Sequence, residues 1–123
     1  MRLSTRVHGV LDYLAGALAA ASPWLLGFAR GGAETWVPVA VGGSVVLYSL
    51  FTDYEAGVVK RMQVPVHLWL DALGGIVLAA SPWVFGFDEH VRAPHVAIGL
   101  FLLLAAVPTD TIPSYERRRA PRV

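Results

Sequence analysis

Residues 20–28 read AASPWLLGF, and residues 79–87 read AASPWVFGF. The reading of the whole chain turns on this near-repetition. Aligning His8 with His67 keeps the two segments in register as far as Phe28 and Phe87, and more than half of the aligned positions are identical. The identities include His8/His67, Asp12/Asp71, Gly16/Gly75, Ala20/Ala79, Ser22/Ser81, Pro23/Pro82, Trp24/Trp83 and Gly27/Gly86. The second copy then has a loop two residues shorter, after which Gly42 matches Gly99 and Thr52-Asp53 matches Thr109-Asp110. The chain is two copies of one unit in tandem.

The composition is that of a lipid-facing protein. Of the 123 residues, 55% are apolar and only 15% charged, against about 25% charged in an ordinary soluble domain. Mean hydropathy is +0.55. The net charge of +1 gives no reason to expect a nucleic-acid partner. Cysteine is absent, which excludes disulfides, thiolate metal sites and cysteine nucleophiles.

Four apolar segments stand out, and a helix needs about 20 residues to cross the hydrocarbon core. The expectation is an all-α membrane protein with four transmembrane helices, over about 7–28, 36–53, 66–87 and 94–109. Residues 1–59 form the first hairpin, 60–112 the second, and 113–123 a basic tail. The MRLSTR start and the small residues ALAAAS resemble a signal peptide. The recurrence of the same segment at 67–87 argues for a retained span. Two spans per unit send both hairpins into the membrane in the same direction, as parallel repeats with a pseudo-two-fold axis along the membrane normal. Arg2, Arg6, Lys60, Arg61, Arg117, Arg118, Arg119 and Arg122 lie on one side of such a layout, and only Arg30 and Arg92 on the other. The positive-inside rule puts both termini in the cytoplasm. The basic tail serves as a topology signal, or lies on anionic lipid.

The duplicated SPW..GF segment, each time ending the first helix of a two-helix unit, resembles the SPW-repeat family of small bacterial and archaeal integral membrane proteins. The resemblance runs from His8 to about Asp110 and implies a prokaryotic cytoplasmic membrane and the four-helix layout. It implies no activity. Proline inside a helix removes a donor and crowds the preceding turn, while Ser-Pro is a good helix-starting pair. Ser22-Pro23 and Ser81-Pro82 are therefore expected to kink the span or to restart it. Trp24 and Trp83 would anchor it at the interface, and Gly27 and Gly86 would end it. The alternative is a broken helix whose exposed amides bind an anion.

His8, Asp12, Gly16 and Ala20 are spaced four apart, as are His67, Asp71, Gly75 and Ala79, so each set lies on one helix face. Small residues allow close approach in lipid, and the simplest expectation is that helices one and three meet on this stripe. Each histidine would pair with the aspartate one turn on, pinning the hairpins together. A carboxylate at that depth is costly unless paired or hydrated. The functional alternatives are a proton or cation site made of His8, Asp12, His67 and Asp71, a metal site of imidazole and carboxylate ligands, or haem between His8 and His67. Asp53 and Asp110 either join this cluster or, for Asp53, belong to a capping box in TDYE. His90 and His95 have no repeat partner and read as loop or interface residues. Tyr13 and Tyr48 have no obvious polar partner in the sequence.

Nucleophile-elbow, zinc-protease, phosphate-loop and dinucleotide motifs are absent, so no enzymatic activity and no cofactor are expected. The leading expectation is a structural or assembly protein that packs through its small-residue faces, as a homo-oligomer or within a larger membrane complex. The second is a proton or small-ion channel or transporter using the His-Asp pairs. The third is haem or metal binding at the histidines.

Overall fold

Serine, proline and glycine punctuate the chain where helices begin and end. In the computed structural model, residues 2–119 are described. They form five helices: α1 Thr5–Leu25, α2 Ala33–Leu50, α3 Val64–Val84, α4 Ala93–Ala106 and α5 Ser114–Arg119. Among the described residues there is no strand, only the isolated bridges Leu3–Thr109 and Thr52–Met62. Ser4 caps α1, its hydroxyl oxygen accepting from the Val7 N–H at 3.2 Å. α3 and α4 carry proline in the first turn, where the missing N–H has no intrahelical partner to lose.

Each of the four longer helices begins one to three residues and ends three residues earlier than its apolar segment suggests, and in α1 and α3 backbone closure sets the end. Gly27 and Gly86 take positive φ values of 71° and 73°, which glycine adopts without side-chain strain. The chain then turns back. The Phe28 N–H reaches the Pro23 carbonyl at 2.9 Å, and the Phe87 N–H reaches Pro82 at 2.8 Å, the six-to-one bond of a Schellman end.

Neither SPW segment restarts a helix. α1 runs through Pro23 and α3 through Pro82, and the serines sit inside the helices, not at their starts. The reason lies in the bond that each proline removes. Pro23 cannot donate to the carbonyl four residues back, Ala19, and the Ser22 hydroxyl donates to that oxygen at 2.8 Å. Ser81 does the same for Leu78 at 2.7 Å. Pro38 inside α2 repeats the problem without a neighbouring serine. There the Glu34 carbonyl is met from another helix, by His95 Nε2 at 2.9 Å.

α1 packs chiefly on α2, and α3 on α4. The expected meeting of helices one and three along the glycine stripe is corrected here. A methyl at Gly16 would lie 2.9 Å from the Gly42 carbonyl oxygen, and one at Gly75 only 2.5 Å from that of Gly99. Ala20 and Ala79 face the same two glycines, Gly42 and Gly99. The small residues are spent inside each hairpin, where backbone meets backbone. Contacts of α2 with α3 and of α1 with α4 are lighter. They leave one apolar cleft lined by Leu11, Leu14, Leu18 and Phe101 and another lined by Val41, Val45, Leu70 and Leu73, each of about 330 Å³.

Two helices, α2 and α3, are long and apolar enough to cross a membrane, and α4 is a shorter apolar helix. α1 matches α3 in length at 21 residues, but its polar first turns and alanine-rich middle make it less apolar. Large apolar side chains such as Leu14, Leu47, Trp69, Leu73 and Leu104 point outward.

Candidate functional site

The histidines and aspartates predicted to matter meet in one buried ring, in which the pairs expected within each helix are present and shorter pairs between the helices are added. His8 Nε2 lies 2.7 Å from Asp71 Oδ2, and His67 Nε2 lies 2.7 Å from Asp12 Oδ2. The pairs within one helix are longer, 3.2 Å for His8–Asp12 and 3.4 Å for His67–Asp71. Each histidine thus faces both carboxylates, with the one on the opposite helix nearer. All four residues are at most 1% exposed. The ring therefore ties α1 to α3, and with them the two hairpins.

Threonines complete it. His67 Nδ1 is 2.7 Å from Thr52 Oγ1, and His8 Nδ1 is 2.7 Å from Thr109 Oγ1. Each threonine hydroxyl donates to the carbonyl four residues back, Tyr48 at 2.7 Å and Ala105 at 2.5 Å. With its hydrogen so used, each threonine oxygen accepts, and each histidine donates from Nδ1. His8 Nδ1 also lies 3.2 Å from the Ala105 carbonyl, which can only accept. Nε2 is left facing the carboxylates. A 2.7 Å contact between that nitrogen and a carboxylate oxygen requires one proton between them. The ring then holds two shared protons and is neutral as a whole, as burial away from solvent favours.

One bond has no counterpart. Tyr48 donates its hydroxyl to Asp71 Oδ1. The repeat places Ala105 where Tyr48 stands in the first copy, and Asp12 Oδ1 is buried with no hydrogen-bond partner among the described residues. Tyr54 covers His67, with 5.3 Å between ring centroids, and is 1% exposed.

The other predicted residues lie elsewhere. Asp53 and Asp110 are not in the ring. Asp53 accepts from the Tyr115 hydroxyl, and Asp110 lies 3.4 Å from Arg2. Their threonine neighbours occupy the site instead, and TDYE forms no helix cap. Glu55 binds Thr5 Oγ1 at 2.6 Å and both the backbone and hydroxyl of Ser114 at 2.6 and 2.7 Å. Burial would raise its carboxyl, but these donors outweigh burial and hold it at about 2. Burial and the Asp53 carboxylate push the Tyr115 phenol up. Tyr13 donates to the Ala56 carbonyl at 2.8 Å. At the opposite end of the helices, His95 binds the Glu34 carbonyl and His90 Nε2 lies 3.0 Å from that of Phe28, so both bridge the hairpins. Trp24 and Trp83 are more than half exposed. Of the basic tail, Arg122 and the side chains of Arg117, Arg118 and Arg119 lie outside the described residues.

Sequence reasoning missed Thr52, Thr109 and Tyr48. The threonines were visible as repeated residues, whereas Tyr48 carries no repeat signal. The haem alternative does not fit: both Nε2 atoms are engaged with carboxylate oxygens at 2.7 Å, and the ring centroids are 5.5 Å apart and near perpendicular, leaving no slot for a porphyrin. A metal ion is a different matter, since one donor atom from each of His8, Asp12, His67 and Asp71 lies within 4.8 Å of all the others.

No curated protein and no solved structure matches the chain. The family profile described as SPW repeat domain matches residues 6–109, from the turn that carries His8 to the second ring threonine, and the chain belongs to that family.

Proposed function

We propose that the chain is a non-enzymatic structural protein of a prokaryotic cytoplasmic membrane. It crosses four times as two parallel hairpins about a pseudo-two-fold axis along the membrane normal, with both termini cytoplasmic. The ring carries this reading. Apart from Asp12 Oδ1, its polar atoms are spent on one another, on the two threonines and on Tyr48, joining hairpin to hairpin and leaving no face for an organic substrate. The outward apolar side chains suit a lipid environment, and Arg2, Arg6, Lys60 and Arg61 gather at the ring end while Arg30 and Arg92 lie at the SPW end. Matched bonds in the two halves support the axis.

The glycine faces are consumed within the hairpins, so self-association uses the two apolar clefts instead. In native mass spectrometry from mild detergent, we expect multiples of the 13.2 kDa chain, reduced to single chains by Leu14→Asn. A bare monomer from native membranes would sink the homo-oligomer. Because cysteine is absent, single introduced cysteines report topology cleanly. Positions 30 and 92 should label from outside, and positions 2 and 61 only after permeabilisation. Proton or cation flux in liposomes that disappears in Asp12→Asn/Asp71→Asn would replace the structural reading with a transport one. The apolar lining of the clefts beside the ring favours no flux.

A further inference from the structure

The ring has the donor set, spacing and surroundings of a metal centre, and we infer that it binds one divalent first-row transition ion, with zinc the best-suited probe. The inference goes beyond the structural role and needs no partner protein. The ligands are His8 Nε2, His67 Nε2, Asp12 Oδ2 and Asp71 Oδ2, and each nitrogen already lies 2.7–3.4 Å from both oxygens. Bonds of about 2.0–2.1 Å in a tetrahedral zinc site put neighbouring donors about 3.3 Å apart. The nitrogen–oxygen distances span that value and all four residues bring donors within 4.8 Å of one another, so an ion enters with modest shifts of the side chains.

Three features beyond the cluster itself point to a ligand. First, both imidazoles present Nε2 inward and have Nδ1–H fixed by threonine, the outer-shell arrangement that orients metal-binding histidines. Second, Asp12 Oδ1 is buried without a partner among the described residues, whereas its counterpart on Asp71 is held by Tyr48. With Asp12 Oδ1 as a fifth donor beside the four named, the ion supplies the missing partner. Third, the charge balances. The two protons shared across the Nε2–Oδ2 contacts leave to solvent as a dication enters, and both aspartates end ionised with both imidazoles neutral. The site's total charge is unchanged, so a buried position in lipid is no barrier to the exchange. Two imidazoles disfavour magnesium and calcium, which take oxygen donors. The titratable side chains facing the ring from adjoining segments are Tyr48 and Tyr54, neither of which is needed as a ligand.

The test uses the full chain in detergent, stripped with chelator and titrated with zinc and then with cobalt. One ion per chain is expected, with two protons released per ion as read from titrations in buffers of different ionisation heat. Affinity should then rise about 100-fold per pH unit over the range where both protons are held. Cobalt should give visible absorption of a four- or five-coordinate nitrogen–oxygen site. His8→Ala/His67→Ala should abolish binding, and His90→Ala should not. If the ring variant fails to fold, proton release and the cobalt spectrum of the unaltered chain decide. No saturable binding to the folded chain, binding without proton release, or binding that survives in a folded ring variant would each overturn the inference. None of these outcomes bears on oligomer size or topology, so the structural reading stands or falls separately.

Discussion

At the scale of residues, the bond that decides the ring's chemistry comes from the least conspicuous member. Aspartate draws the eye in Thr52-Asp53 and Thr109-Asp110, yet the threonine points inward and the aspartate outward. The helix supplies the reason: a threonine near a helix end satisfies its own hydroxyl on the carbonyl one turn back, leaving its oxygen for a histidine. Removing that oxygen while keeping the shape leaves a buried Nδ1–H short of its acceptor. We expect Thr52→Val to cost about 1–3 kcal/mol in detergent unfolding, with Thr52→Ser recovering most of it. At His8, Thr109→Val should cost less, because Nδ1 keeps the Ala105 carbonyl at 3.2 Å. Equal losses at the two positions would contradict this assignment of donors. The repeat made histidine and aspartate legible as a set. It was blind to Tyr48, whose counterpart Ala105 cannot donate, and so to the asymmetry between Asp12 and Asp71.

Among the helices, three prolines lie beyond the first turn, and each leaves a carbonyl to be answered. Two are answered by the serine directly before the proline, the third by His95 from another helix. The SPW triplet therefore reads as a repaired helix end: serine replaces the lost donor, the proline carbonyl accepts from the closing turn, and tryptophan faces outward. The motif was plain in the sequence, but its serine had two available roles, cap or repair, and only the helix register separates them. Ser22→Ala should cost about 1 kcal/mol and increase amide exchange in the last turn of α1. Gly27→Ala should cost about 1 kcal/mol through its backbone angle alone, since no atom lies within 4 Å of the added methyl. Gly16→Leu is a different kind of change, because the new side chain meets the α2 backbone. It should unfold the chain, and a folded Gly16→Leu variant would count against the packing described.

For the molecule as a whole, duplication establishes which residues are equivalent and leaves open which of them touch. Two copies were legible from SPW alone. That the glycine stripe closes each hairpin, and that polar groups at both ends join the hairpins, depends on how helices pair in space. The ring and the two bridging histidines form a fastening at each end, with apolar clefts between. A third fastening lies outside the helices, at Glu55. It ties the start of α1 through Thr5 and the start of α5 through Ser114, gathering the first helix, the central loop and the tail. Its pH behaviour follows from its charge. The folded carboxyl is held at about 2, below its ordinary 4.5. Its stabilisation is therefore fully present above about pH 4.5 and is lost as pH falls toward 2. We expect thermal stability in detergent to decline across that window, and Glu55→Gln to flatten this part of the profile while lowering stability at neutral pH. The same substitution should free the tail, so that protease cuts beyond Pro113 before the helices melt. An unchanged acid profile in Glu55→Gln would mean that the tail is held instead through Tyr115, by Asp53 and Lys60.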